Sequence, residues 1–278
     1  MDLSRLDYQA QALVRRLVVG SENRNLGSAT VAFYDTAWVS MVSKIHQGQN
    51  RWLFPESFRF LLDNQLPDGG WKSYASRDDG LLNTLAALLA MKKHTNALKM
   101  MDQANVPSLE NRIVKAKRYI QESLRDWDVD ASMHVGFEIL VPALLSMLDS
   151  EGLRFDFPGR RSLDRLNATK LAKFDPEVLY SSPKTSAHSL EAFIGRIDFD
   201  RLTRHKTFGS MMASPASTAA YLMQCSTWDN EAESYIRRVI CEGMGKGNGG
   251  LPSVFPTPIF EVTWVIYILS IGRTFRRF

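Results

Sequence analysis

Cysteine is nearly absent from this 278-residue sequence, with Cys225 and Cys241 the whole complement. Two thiols cannot build a disulfide framework or a four-cysteine metal cluster. Long apolar runs are missing too. The best candidate, Phe260–Gly272, carries Glu261 inside it and falls short of the roughly 18 residues of a membrane span. The N-terminus, MDLSRLDYQAQALVRRL, has early acids and no apolar stretch of a secretory signal, so the expected location is the cytoplasm. A strong charge of one sign is also lacking. Thirty-four basic residues are scattered among 30 acids, and a net +4 is too diffuse for a surface that tracks phosphates, so no nucleic-acid partner is expected. What is present is an apolar share of 45% against 23% charged, enough for a packed core and unlike a disordered chain.

Periodicity is helical wherever it is strong. Leu6, Ala10, Leu13, Val14 and Leu17 form a stripe over residues 4–20, and Phe33, Ala37, Trp38 and Met41 form another over Ala32–Val42. Pro55 opens a helix with Phe58, Leu61 and Leu62 on one face, proline being harmless in the first turn. Helices follow at Gly80–Lys92, at Ser108–Leu124 with Ile113, Ala116, Ile120 and Leu124 facing inward, and at Val135–Leu148 with Pro142 near its middle. Glu151–Asn167 reads as a polar loop. Further helices are expected at Ser186–Gly195, Pro215–Gln224, Asn230–Gly243 and Ile259–Ile271. Two-residue alternation is absent over any useful length, so the fold class is all-α. The rhythm of helix, Gly/Pro turn, helix is that of helical hairpins closing into a ring.

Several constellations dissolve on inspection. GMGKGNGG (243–250) has Gly-x-Gly spacing, but a helix precedes it and Leu251-Pro252 follows, where a dinucleotide site needs a βαβ unit; it reads as a flexible turn. Asp126, Asp128 and Asp130 alternate like a calcium loop, yet Ala131 and Phe137 stand where that loop needs Gly and Glu, which favours a solvated acidic turn. Neither a Gly-x-Ser-x-Gly elbow nor His-Glu-x-x-His is present, and the five histidines are isolated. Phe60-Leu-Leu-Asp-Asn-Gln-Leu-Pro-Asp-Gly-Gly-Trp71 is more informative. Gln65 near a helix end can satisfy orphan carbonyls, and Trp71 can fold back over those hydrogen bonds, stapling the helix.

That segment matches F-L-x3-Q-x3-G-x-W, the QW motif of terpene cyclases, and five others extend the likeness. Phe33-Tyr-Asp-Thr-Ala-Trp-Val-Ser-Met-Val42 resembles the (S)AYDTAWVAMV signature of class II diterpene cyclases. Val135-Gly-Phe-Glu-Ile-Leu-Val-Pro-Ala-Leu-Leu145 resembles their IGFE-x3-P-x-LL helix, His188-Ser-Leu-Glu191 their LHSLEG, and Ser214-Pro-Ala-Ser-Thr-Ala219 their SPSATA. Gly249-Gly-Leu-Pro-Ser-Val-Phe-Pro256 with Phe260-Glu-x-x-Trp264 resembles GGVPNVYP…FE-x-x-W. The sequence thus resembles the N-terminal part of a copalyl-diphosphate-synthase-like enzyme, over roughly residues 30–275.

The resemblance implies a γ-type α-barrel over 46–258, preceded by an N-terminal helical segment of a β domain (1–45) and followed by the start of the returning β domain (259–278). It implies an isomerase reaction in which a carboxylic acid protonates the terminal alkene of geranylgeranyl diphosphate and closes it to a copalyl-type diphosphate. Magnesium is implied only through the substrate's diphosphate, and no metal-ligand set is readable. The family's acid motif, Asp-x-Asp-Asp, occurs nowhere in these 278 residues, and Asp128-Val-Asp130-Ala131 lies in the wrong place and lacks the last Asp, so the chain is expected to be inactive alone. Nor is there an Asp-Asp-x-x-Asp for class I ionisation. Residue by residue, Lys170 resembles the lysine that contacts the substrate diphosphate, and His188 the histidine that helps a water take the final proton. Its partner in the family is Asn, where this sequence has Ser253, which puts the deprotonation geometry in question. On the residues alone, Lys170 is equally a solvated helix lysine and His188 a hydrogen-bonding group at a helix start. The alternative is a non-catalytic α-barrel that binds a prenyl diphosphate or completes a separately encoded β/α portion. Phe33, Trp38, Val265 and Ile268 are expected to expose an apolar patch.

Overall fold

The computed structural model describes residues 29–271 apart from Lys72, Tyr74, 101–105 and Pro183, together with scattered positions before residue 29. Most of the helical stripe at 4–20 lies outside the described residues. The helices are α1 (Phe33–Ser40), α2 (Pro55–Asp63), α3 (Arg77–Met100), α4 (Val106–Arg125), α5 (Phe137–Ser150), α6 (Arg160–Leu171), α7 (Pro176–Ser181), α8 (Pro215–Gln224), α9 (Asn230–Glu242) and α10 (Pro258–Ile271). Two 3-10 segments, Thr185–Phe193 and Phe199–His205, lie between α7 and α8. Strand structure among the described residues amounts to two small antiparallel pairs, Val31–Ala32 with Leu251–Pro252 and Ser43–His46 with Gln49–Trp52. The all-α expectation therefore holds.

Local chemistry explains several helix starts. Ser214 caps α8 by accepting from Ser217 N, with Pro215 in the first turn, and Asp229 caps α9 by accepting from Glu231 N and Ala232 N. The inward face of α4 is as the periodicity requires, with Ala116 and Ile120 fully buried and Leu124 and Ile113 nearly so. Pro142 sits inside α5 without ending it. A proline removes the hydrogen bond to the carbonyl four residues earlier, here Glu138, and Asn167 Nδ2 donates to that oxygen at 2.7 Å.

That contact comes from α6, where the sequence suggests a loop. The helix is polar, with an Arg160–Asp164 pair one turn apart and Leu163 its one buried residue, so its apolar stripe is too narrow to register as a period. The Ser43–Trp52 hairpin is also unexpected. Its turn residues Gln47 and Gly48 both take positive φ (51° and 75°), the geometry that joins two strands tightly.

The QW segment is stapled by different atoms from those expected. Trp71, fully buried, donates its indole N–H to Leu61 O (3.0 Å), and Arg112 donates to Leu62 O (2.7 Å). These two cap the end of α2. Gln65 instead donates to Gly69 O (3.0 Å) and Arg112 O (3.1 Å), tying the turn to α4. The turn lies so close to α4 that a Cβ on Gly69 would fall 2.4 Å from the Lys115 backbone.

The helices close on themselves. α1 packs on α3, α3 on α5, α5 on the Thr185–Phe193 segment, that segment on α8, and α8 on α1. α4, α6 and α9 buttress this ring from α3, α5 and α8 respectively. Residues 37–42, assigned from sequence to a separate N-terminal segment, share one apolar core with residues drawn from the whole 54–255 stretch. Trp38 is 2% exposed within that core, which overturns its expected place in a surface patch. Every residue from Asp35 to Ser40 of this helix is buried, so it has no solvent face there for Trp38 to occupy. Phe33 packs against the core and stacks on Phe60, and Val265 is half-buried. Of the expected four, Ile268 is exposed, alongside Ile259, Phe260, Trp264 and Ile266 on α10.

Candidate functional site

One mouth of the ring opens into a cavity of about 520 Å³. Each of the five ring elements contributes: Tyr34 and Asp35 from α1, Asp79 and Asn83 from α3, Leu140 from α5, His188 and Glu191 from the 3-10 segment, and Ala216 from α8. In α1, α3, α5 and α8 these residues lie in the first two turns, so four helix N-termini converge there. The orphan N–H groups of such ends need acceptors, and neighbours supply them. Asn83 Oδ1 accepts from Tyr34 N (3.0 Å), and Asp35 Oδ1 accepts from Ala216 N (3.2 Å). Carboxylates suit this environment, since the helix dipoles place positive potential at the mouth.

Behind the lining is a buried polar network. Tyr34 Oη donates to Glu191 Oε1 (3.0 Å), Ser217 Oγ donates to Glu191 Oε2 (3.1 Å), and Leu190 N donates to Ser217 Oγ (2.8 Å). Burial pushes the Glu191 carboxyl up to about 7, its hydrogen bonds from Tyr34 and Ser217 resisting only in part. Asp35 is raised well above the usual carboxylate range by burial and then by the nearby Glu191 charge. Tyr34 is raised by the same two causes. These acids thus hold protons to a pH at which ordinary carboxyls have lost them.

His188 and Ser253 both line this cavity. His188 is half-buried, and its Nδ1 lies 3.1 Å from Met212 O. Ser253 arrives on the segment after Leu251–Pro252, which pairs with Val31–Ala32 beside α1. The glycine loop that delivers it runs tight against α2, where a Cβ on Gly249 would fall 2.2 Å from Glu56 O. Lys170 is not among the lining residues. Its ammonium pairs with Glu138 Oε1 at 2.7 Å, on the same helix as Leu140 of the cavity wall. No lysine or arginine is among the described lining residues, so positive potential at the mouth originates in the helix N-termini and not in basic side chains of those two types.

Asp128 behaves as a turn residue, accepting from Asp130 N and Ala131 N (3.2 Å each), while Asp126 and Asp130 pair with Arg77 and Arg165. Among the described residues no three His, Cys, Asp or Glu side chains converge to hold a metal ion. No described helix is long and apolar enough to cross a membrane. Sequence reasoning passed over Tyr34, Asp35 and Glu191 as site residues. The available signal was an acid set among apolar neighbours, Leu190 before Glu191 and Ala192-Phe193 after it.

No family model matches the chain. It is 48% identical over 275 residues to copalyl diphosphate synthase of Talaromyces verruculosus, covering 97% of this chain and 29% of that protein. It is likewise 48% identical over 272 residues to phyllocladan-16-alpha-ol synthase of Phomopsis amygdali, covering 96% of this chain and 27% of that one. Among solved structures it is similar to ent-copalyl diphosphate synthase of Arabidopsis thaliana in complex with (S)-15-aza-14,15-dihydrogeranylgeranyl thiolodiphosphate. There the TM-score is 0.73 at 29% identity, over 96% of this chain and 37% of that one. Over nearly its whole length the chain is a homologue of diterpene cyclases, and it spans less than a third of the length of the curated relatives it matches.

Proposed function

We propose that this chain, homologous to part of the diterpene cyclases, forms one wall of a site where geranylgeranyl diphosphate is cyclised by protonation to a copalyl-type diphosphate, an isomerase reaction. The observation that carries the reading is where the shared motifs meet. Five of the six motif segments, at 33–42, 135–145, 188–191, 214–219 and 249–256, each place a residue in the one cavity, while the QW staple serves the scaffold. The substrate's hydrocarbon enters this cavity, and its anionic end lies outside, towards Lys170. There the ammonium exchanges Glu138 for a phosphate oxygen. His188 and Ser253 hold the water that receives the last proton, His188 as the base and the Ser253 hydroxyl as its anchor. Glu191, pushed up to about 7 and hydrogen-bonded by Tyr34, places less fixed negative charge beside a carbocation than an ordinary carboxylate would.

The initiating acid is supplied by sequence bearing Asp-x-Asp-Asp, which these 278 residues do not contain. Magnesium enters with the diphosphate, and no step depends on it here. The exposed apolar residues of α10, Ile259, Phe260 and Trp264, favour a face against which further cyclase sequence packs, whether in the same polypeptide or separately encoded. Without it the chain acts as a prenyl-diphosphate-binding barrel, not an enzyme. Incubation with geranylgeranyl diphosphate and Mg²⁺, followed by dephosphorylation and product analysis, tests this. The chain alone is expected to give no bicyclic product. Co-expression with the Asp-x-Asp-Asp portion of a homologous cyclase is expected to give one that His188→Ala diminishes. Turnover by the chain unaided, or a reconstituted product indifferent to His188, would refute the assignment.

A further inference from the structure

The turn that faces His188 is built from residues that ought to avoid its conformation. Met211 and Ser214 form an isolated bridge, with Ser214 N donating to Met211 O at 3.0 Å. Between them Met212 and Ala213 have φ of 50° and 56°, the left-handed region disfavoured for any residue with a Cβ. Such backbone persists only where its surroundings over-determine it. Here they do: Met211 N donates to Thr218 Oγ1 (3.0 Å) and Ala213 N to Ser210 Oγ (3.2 Å).

The result is two carbonyls directed to two different segments, one carrying His188 and the other following Ser253. Met212 O faces His188 Nδ1 at 3.1 Å, and Ala213 O accepts from Phe255 N at 2.9 Å, two residues beyond Ser253. A carbonyl can only accept, so the imidazole nitrogen facing it carries the proton, and the other nitrogen of a neutral ring does not. We propose that the Met211–Ser214 turn is a positioning element: it holds His188 as the Nδ1–H tautomer, so that Nε2 is the proton-accepting nitrogen at the cavity, and it fixes the Ser253 segment relative to that ring. The role in proton acceptance rests on the function proposed above, but the tautomer does not, and it can be read without substrate.

Two-bond ¹H–¹⁵N correlation on the full chain at about pH 8.5, where an ordinary imidazole is neutral, reports the tautomer directly. The His188 signals are those lost in His188→Phe. One net hydrogen bond shifts the ratio by up to about tenfold from free histidine's preference for Nε2–H, so Nδ1–H is expected to become the major tautomer. Met212 is 38% exposed, so substitutions there act chiefly through the backbone. Met212→Gly, which accepts positive φ, is expected to keep the wild-type ratio. Met212→Val, whose branched Cβ resists positive φ, is expected to shift it towards Nε2–H by about threefold or more. Three results would each overturn the proposal: a wild-type ring protonated on Nε2, a folded Met212→Val chain with an unchanged ratio, or loss of the fold in Met212→Val with Met212→Gly intact. In the last case the turn would be supporting the fold and not the ring.

Discussion

Two buried titratable groups, His94 and Glu191, meet the same physical force and end in different situations. His94 is stacked between Trp52 (centroids 4.0 Å apart) and Phe58 (3.6 Å), with Nε2 at 2.9 Å from Ser40 O, and burial pushes it down to about 4. It is a neutral flat ring that joins the hairpin, α2, α3 and the end of α1, and it lines none of the described cavities. Glu191 is equally starved of water and is pushed up to about 7, yet it lines the cavity at the ring's mouth. Desolvation alone therefore does not identify a functional group. What separates the two is whether the shifted group borders a space that a ligand can enter.

The contrast breaks most visibly at His94. His94→Ala leaves a void between two aromatic rings and strands the Ser40 carbonyl, with an expected loss of about 4 kcal/mol in urea unfolding at neutral pH. The His188 tautomer should be untouched in the folded fraction.

Acid–base behaviour distinguishes the two next. His94 has a folded value below its unfolded one, so its contribution is fully present above about 6.5 and is lost as pH falls towards 4. Glu191 is raised, so its contribution is fully present below its ordinary value of 4.5 and is lost as pH rises through about 7. Each shift corresponds to roughly 3 kcal/mol, and in the overlap of the two windows the slopes oppose. Glu191→Gln, which keeps the shape and removes the charge, should therefore be more stable than wild type at pH 8 by up to about 3 kcal/mol, and little changed at pH 4.5. Unfolding curves for the two proteins that stay parallel from pH 4.5 to 8 would mean that Glu191 is not the raised carboxyl.

Smaller effects sharpen the boundary of the site. Asn167→Ala should cost about 1 kcal/mol by uncapping the Glu138 carbonyl that Pro142 frees, measurable as a lowered urea midpoint. Lys170→Ala removes an ion pair whose Glu138 side is only 12% exposed and should cost about 1 kcal/mol or less. Under the proposed function it should nonetheless weaken binding of a prenyl diphosphate, read by titration calorimetry.

Helices with a broad apolar stripe or a side-chain cap were readable in the residues themselves: α4 from Ile113, Ala116, Ile120 and Leu124, and α8 from Ser214-Pro215. α6 was not, because Leu163 is its single buried residue and its docking depends on a hydrogen bond between Asn167 and a carbonyl in another helix. The hairpin escaped for a related reason, since its register is set by two positive-φ turn residues and not by alternation. At the site, family motifs led to His188 and Ser253, and the structure brings both to one cavity while leaving Lys170 off its lining. Tyr34 and Glu191 sit in those same motifs, but their pairing spans 157 positions of sequence, and a single sequence gives no sign of such a contact.

The convergence of four helix starts on the mouth has a further implication for engineering. The electropositive field there originates in peptide groups, which mutagenesis of side chains leaves in place and added salt only screens. The adjustable part is the set of acids arranged against it, Asp35, Asp79 and Glu191. Any redesign of what this barrel end accepts is therefore limited to choosing how much of a permanent backbone potential to leave uncovered.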